Sequence, residues 1–157
     1  MTRYASSTNV SSSASRSEIE RTLERYGASA FAYATERRRA MVQFDMNNRR
    51  VRFVLPLPDP HAREFTHTPT RGTRRGEAQR LEAWEQACRQ AWRALALVVK
   101  AKLEAIESGI TTFDDEFMAH LVLPSGGTVG EFMRPQIERS YSDGSMPALL
   151  PAPTTGA

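Results

Sequence analysis

Nine arginines in the middle of the chain carry its clearest chemical potential: Arg37, Arg38 and Arg39, then Arg49, Arg50 and Arg52, then Arg71, Arg74 and Arg75. A guanidinium is planar, permanently charged and able to donate two parallel hydrogen bonds to a phosphate or carboxylate. A cluster of them points to an anionic partner. Residues 36–76 hold ten arginines against four acids, a local +6 in a chain whose net charge is +3. The remainder is therefore net negative, and the asymmetry singles out the middle segment. A GC-rich coding sequence would account for the choice of arginine over lysine but not for its clustering. The bland alternative is a solvated sheet face, with Asp45 already neutralising Arg50.

A second group could hold a divalent metal and hydrolyse a phosphodiester. Glu116 and His120 are four residues apart, so they share a helix face, with Asp114 and Asp115 beside them. The spacing matches no established ligand motif, however, and acids in the first turn of a helix are expected from its dipole alone. His61 and His67 fall in a Pro-rich segment. Cys88 lies in an apolar stripe between Trp84 and Ala91, where a buried structural thiol is expected rather than a nucleophile. Trp84 and Trp92 read as core or subunit contacts. Ser125-Gly126-Gly127 lacks the partner residues of a phosphate loop or a nucleophile elbow and reads as a turn. These residues imply binding rather than catalysis, with no cofactor and no catalytic residue.

The elements that must position the arginines are legible from patterning. Ser17 and Glu20 suit a capping box opening a helix over 18–26, stopped by Gly27. Alternation in 28–34 places Phe31 and Tyr33 on one face, where they are either the nearby aromatics for base stacking or simply part of the core. "TERRR" then connects to a second strand, 40–46. Asn47-Asn48 suits a type I′ turn into a third strand, 49–55. That turn pairs Phe44 with Val51, Val42 with Phe53, Asp45 with Arg50 and Gln43 with Arg52. One face is then apolar throughout, and the other carries the arginines.

Residues 56–76 contain four prolines and two glycines and show no period, which predicts a long mobile basic loop. A long helix follows over Glu77–Ser108. Its stripe of Leu81, Trp84, Cys88, Ala91, Leu95, Val99, Leu103 and Ile106 is suited to crossing the apolar sheet face, and Trp92 and Val98 widen it. Thr112 caps "FDDEFMAH", "LVLPSGG" reads as a short strand or turn, and Thr128 with Glu131 opens a last helix that Pro135 bends or restarts. The fold class is α+β: an N-terminal helix, a three-stranded antiparallel meander, a long amphipathic helix across the sheet and a small helical C-terminal segment. Residues 1–16 are expected as a disordered Ser-rich tail, 17–145 as one domain and 146–157 as an extended tail.

No apolar run approaches the ~20 residues of a membrane span. The N-terminus lacks the apolar middle of a secretion signal, and the single cysteine suits a reducing cytoplasm.

"RRVRFVLPLP", "WEQACRQAWRALALVVKAKLEAIESGITTFDDEFMAHLVLP" and "GGTVGEFMRPQIERSYSDGSMPALLP" together resemble a group of small proteins of unassigned activity encoded by tailed bacteriophages and prophages. The resemblance covers residues 17–151. It implies a bacterial host cytoplasm and brings no catalytic residues. At the level of fold alone, a helix followed by a β-β-β-α core is similar to phage single-strand annealing proteins, which assemble into rings or filaments and hold single-stranded DNA in a basic groove. The resulting expectation is an oligomeric single-stranded DNA-binding protein using the hairpin arginines and the 61–76 loop. The rival readings are a module that binds a host or phage protein, and a metal-dependent nuclease using Asp114, Asp115, Glu116 and His120.

Overall fold

The computed structural model describes residues 8–145, so the tail expected at 146–157 and the first seven residues of the one expected at 1–16 lie outside the described residues, while residues 12–16 are helical rather than disordered. The N-terminal helix α1 (Ser12–Arg25) starts six residues earlier than the capping box at Ser17 suggested. Ser11 is the cap, its hydroxyl accepting from the Ala14 N–H at 3.1 Å. Several serines in a row are equally good caps, so tertiary packing chose among them. Ser15, Ile19, Thr22 and Leu23 form a buried stripe, and its small members allow close approach to the long helix α3 (Glu77–Glu107). Tyr26 ties the two helices from the other end. Its hydroxyl donates to Glu104 Oε1 at 2.6 Å, and that bond is the main reason its pKa is pushed up to about 12.

The Ser15 hydroxyl is buried without a hydrogen-bond partner among the described residues. A buried, unmatched hydroxyl costs about 1 kcal/mol or more relative to a methyl group. Ser15→Ala is therefore expected to raise stability by about 1 kcal/mol, read as a higher urea midpoint with an unchanged slope.

Strands β1 (Ala30–Glu36), β2 (Arg39–Met46) and β3 (Arg49–Pro56) form one antiparallel meander in that order. Asn47 and Asn48 hold φ of 52° and 58°, the positive values a type I′ turn requires. The register is as the turn chemistry implied, with Phe44 opposite Val51, Val42 opposite Phe53 and Asp45 opposite Arg50. The "TERRR" stretch is not a connection. Thr35 and Glu36 extend β1, and only Arg37-Arg38 turns, with Glu36 opposite Arg39.

The inner face of β2 and β3 buries Ala40, Val42, Phe44, Met46, Val51 and Phe53. α1 and α3 together cover it. α3 contributes Trp92, Leu95, Ala96, Val99 and Leu103, which lie in the same cluster as Ile19 and Leu23 of α1. Trp92 is thus central, whereas Leu81 at the start of the expected stripe is exposed. The first third of α3 faces the 56–76 segment instead of the sheet.

That segment is not the irregular loop its prolines suggested. It contains a helical turn, α2 (Arg63–Thr66), that buries Phe65, followed by a turn-back bridging His67 and Arg74. Arg80 donates to the Pro60 carbonyl at 2.9 Å and Trp84 Nε1 to the Pro58 carbonyl at 2.8 Å, pinning the segment along α3.

After α3 come α4 (Phe113–Phe117), a single tight turn at Met118–His120, and α5 (Val129–Asp143). Thr112 caps α4 as expected, and Phe113 and Phe117 close the core from the side. The Thr128–Glu131 capping box is formed in both directions, at 2.9 and 3.2 Å. α5 runs through Pro135 without a break. Gly130 lets it approach the Met118–His120 turn, because a Cβ there would sit 2.8 Å from the Ala119 carbonyl.

Candidate nucleic-acid interface

Cross-strand pairing puts Arg39, Gln43 and Asp45 of β2 and Arg50 and Arg52 of β3 on the outer face of the sheet. Arg50 donates from Nε and Nη2 to the two oxygens of Asp45 at 2.8 and 2.9 Å. This fork holds the Asp45 carboxyl below its ordinary value and raises Arg50. Arg52 donates to Gln43 Oε1 at 3.2 Å and to the Gly126 carbonyl at 2.8 Å.

Gly126 belongs to a turn that hangs from the open edge of β3. Leu121 bridges Val51, and the Val122 N–H donates to the Arg50 carbonyl at 2.8 Å. The chain then folds back on itself through Gly126, whose φ of 94° only glycine adopts readily. Between this turn and the sheet lies a cleft of about 690 Å³, its wall formed by Ser29, Gln43, Asp45, Asn48, Arg50 and Arg52. Arg50 Nη1 and Arg52 Nη2 have no hydrogen-bond partner among the described residues. The cleft thus offers two cationic donors that the fold leaves unused, with uncharged polar groups alongside.

Of the other seven candidate arginines, only Arg49 also lines the cleft. Arg49 sits on the opposite face, because side chains alternate along a strand. Its guanidinium is held by Asp114 of α4 at 3.2 Å, although the residue also lines the cleft. Arg39 pairs with Glu36 at 2.8 Å, which raises its pKa. Arg38 lies 3.6 Å from Asp59. These two and Arg37 belong to the end of the sheet opposite the Asn47-Asn48 turn. Arg75 folds back onto the Glu64 and Phe65 carbonyls at 2.9 and 3.3 Å. Arg37, Arg71 and Arg74 are exposed, without side-chain partners among the described residues. Three of the four acids of the middle segment pair with its arginines, and Arg49 pairs with Asp114 from outside it, so the arginines left unpaired are spread over the surface rather than gathered on one face. Phe31 and Tyr33 share the inner face with Phe44 and Val42, which removes them as stacking partners for bases in the cleft.

Patterning gave no sign of Arg16. Its guanidinium lies 5.1 Å from the ring centres of both Tyr33 and Trp92, joining α1, the sheet edge and α3. A lone arginine on a polar helix carries no sequence signal for such a contact.

The acidic group does not assemble into a metal site. Asp114 serves Arg49, Asp115 accepts from the Thr112 hydroxyl at 2.8 Å, and Glu116 accepts from Lys102 at 2.8 Å. Among the described residues no three His, Cys, Asp or Glu side chains are placed to share an ion. Cys88 is buried, and burial pushes its thiol pKa up, as suits a packing residue.

His120 stacks on Phe53, with ring centres 4.0 Å apart. Burial, and after it the Lys102 ammonium, hold its pKa below the ordinary 6.5, against an opposing hydrogen bond to the Arg52 backbone. The unfolded chain therefore takes up this proton more readily than the folded one. The stability due to neutral His120 is complete above pH 6.5 and is lost as pH falls through 6.5 towards the folded value. Urea midpoints measured from pH 7.5 to 5.5 are expected to decline in the parent protein, and His120→Phe is expected to flatten that decline.

No protein-family model, curated protein or solved structure matches the chain. Among the described residues no helix is long and apolar enough to cross a membrane.

Proposed function

We propose that the chain binds single-stranded nucleic acid at the outer-face cleft, with Arg50 and Arg52 holding successive phosphates. The observation that carries this reading is the pair of neighbouring arginines on β3 that line one concave, solvent-open cleft and each keep an N–H group unengaged among the described residues. Ser29, Gln43 and Asn48 add uncharged donors and acceptors of the kind that contact sugars and phosphates without reading sequence. A trough floored by a sheet suits an extended strand. It offers no helix or ribbon to insert into a duplex groove. Without aromatic residues on this face, binding rests on the phosphates and is indifferent to sequence.

The test is a titration of a labelled single strand and the matching duplex at about 50 and about 200 mM salt. Two phosphate contacts on a single strand predict a slope of about −1.4 in log affinity against log salt, roughly a sevenfold loss over that range. Equal affinity for the duplex, or no salt dependence, contradicts the reading.

A second reading, a module that binds another protein, is favoured by a different surface. No residue of α5 is buried, and Phe132, Ile137 and Tyr141 are 57%, 49% and 89% exposed. Ile137 and Tyr141, four residues apart, share one helix face, and exposed apolar neighbours of this kind mark protein contacts. A host protein that co-purifies with the chain after nuclease treatment, and is lost on Ile137→Glu, would support it.

A further inference from the structure

β1 leaves one side of the sheet open. All its residues except Phe31 are exposed, whereas the far edge of β3 is occupied by the bridge to Leu121. The Arg37-Arg38 turn determines which main-chain groups are free. Glu36 and Arg39 flank the turn and bond to each other, so residues 30, 32, 34 and 36 exchange bonds with β2. Phe31, Tyr33 and Thr35 therefore direct their N–H and C=O groups outward. Natural edges are usually blunted by lysine, proline or short length. This one is seven residues long, contains neither residue type, and has a single charge, Glu36, at its end.

We propose that a second copy of the chain occupies this edge, with the two β1 strands antiparallel across a two-fold axis at Ala32. The strand is self-complementary in that register. Phe31 of one copy lies opposite Tyr33 of the other, twice over, forming aromatic cross-strand pairs on the inner face. On the outer face Ala30 meets Ala34 and Ala32 meets itself, so two small-residue rows pass without a clash. Glu36 falls opposite Ala28, and no like charges meet. Moving the axis to Ala34 would instead set Phe31 against Arg37 and Ala32 against Glu36. Such an interface is isologous and closes as a dimer. It yields one six-stranded sheet with both arginine clefts on the same side, five strand spacings or roughly 24 Å apart.

The test is analytical ultracentrifugation of the full chain without nucleic acid. The parent is expected to sediment as a concentration-dependent dimer. Ala32→Lys places two ammonium groups face to face on the axis, and Thr35→Pro removes an outward N–H without touching the bonds to β2. Each is expected to raise the dimer dissociation constant about tenfold or more, with an unchanged far-ultraviolet spectrum. A parent that is monomeric at every concentration overturns the proposal. So does a dimer that survives both substitutions, including one that dissociates only on Ile137→Glu and so lies on α5.

Discussion

Phe117→Ala is expected to lower the stability of the domain by about 4 kcal/mol, the usual cost of emptying a fully buried phenylalanine site. Phe117 has no solvent exposure. Its ring meets Phe44 edge-on at 5.7 Å and Phe53 at 6.2 Å, with Phe113 4.9 Å away. These neighbours come from β2, β3 and α4, so they cannot close around the void without moving the sheet. Against a typical total of roughly 5–15 kcal/mol, the loss leaves a marginal protein. Urea unfolding checks this through the midpoint, and a cost under about 1 kcal/mol would mean that α4 is not docked as described. The consequence reaches the cleft as well. Asp114, which holds Arg49, and the turn that accepts from Arg52 both lie on the segment that Phe117 anchors.

Arg50→Ala combined with Arg52→Ala is expected to weaken single-strand binding about a hundredfold, because it removes two charge-assisted phosphate contacts at once. The fold should tolerate the change, since exposed ion pairs contribute little to stability. Asp45→Asn tests the same geometry with the opposite sign. It weakens the anionic partner that engages two nitrogens of Arg50 and removes a negative charge from the cleft wall, so binding is expected to strengthen. Arg37→Ala and Arg74→Ala, outside the cleft, are expected to change affinity by less than a factor of about three.

Those outcomes bear on how far the site could be read from the residues alone. The hairpin was legible because two independent signals coincide there: paired asparagines that tolerate positive φ, and alternation that leaves one face apolar. The caps at Thr112 and Thr128 were legible for the same local reason. The start of α1 was not, because a run of serines offers several equivalent caps and only packing against α3 selects Ser11. The 56–76 segment hid its order because Phe65, Trp84 and Arg80 stabilise it through contacts distant in sequence. The arginine cluster was legible as composition but misleading as a surface. Neighbouring positions 49 and 50 point to opposite faces, and most of the nearby acids are partners of the arginines they were counted against. The concavity over Arg50 and Arg52 depends on a turn more than 70 residues further along the chain, which no local pattern announces.

The central claim is that Arg50 and Arg52 together hold the phosphates of a bound strand. It is tested most directly by the salt dependence of single-strand affinity, measured side by side for the parent and the Arg50→Ala, Arg52→Ala variant. Two lost contacts predict that the variant's slope is shallower by about 1.4. Parallel lines for the two proteins would place any bound strand somewhere other than this cleft.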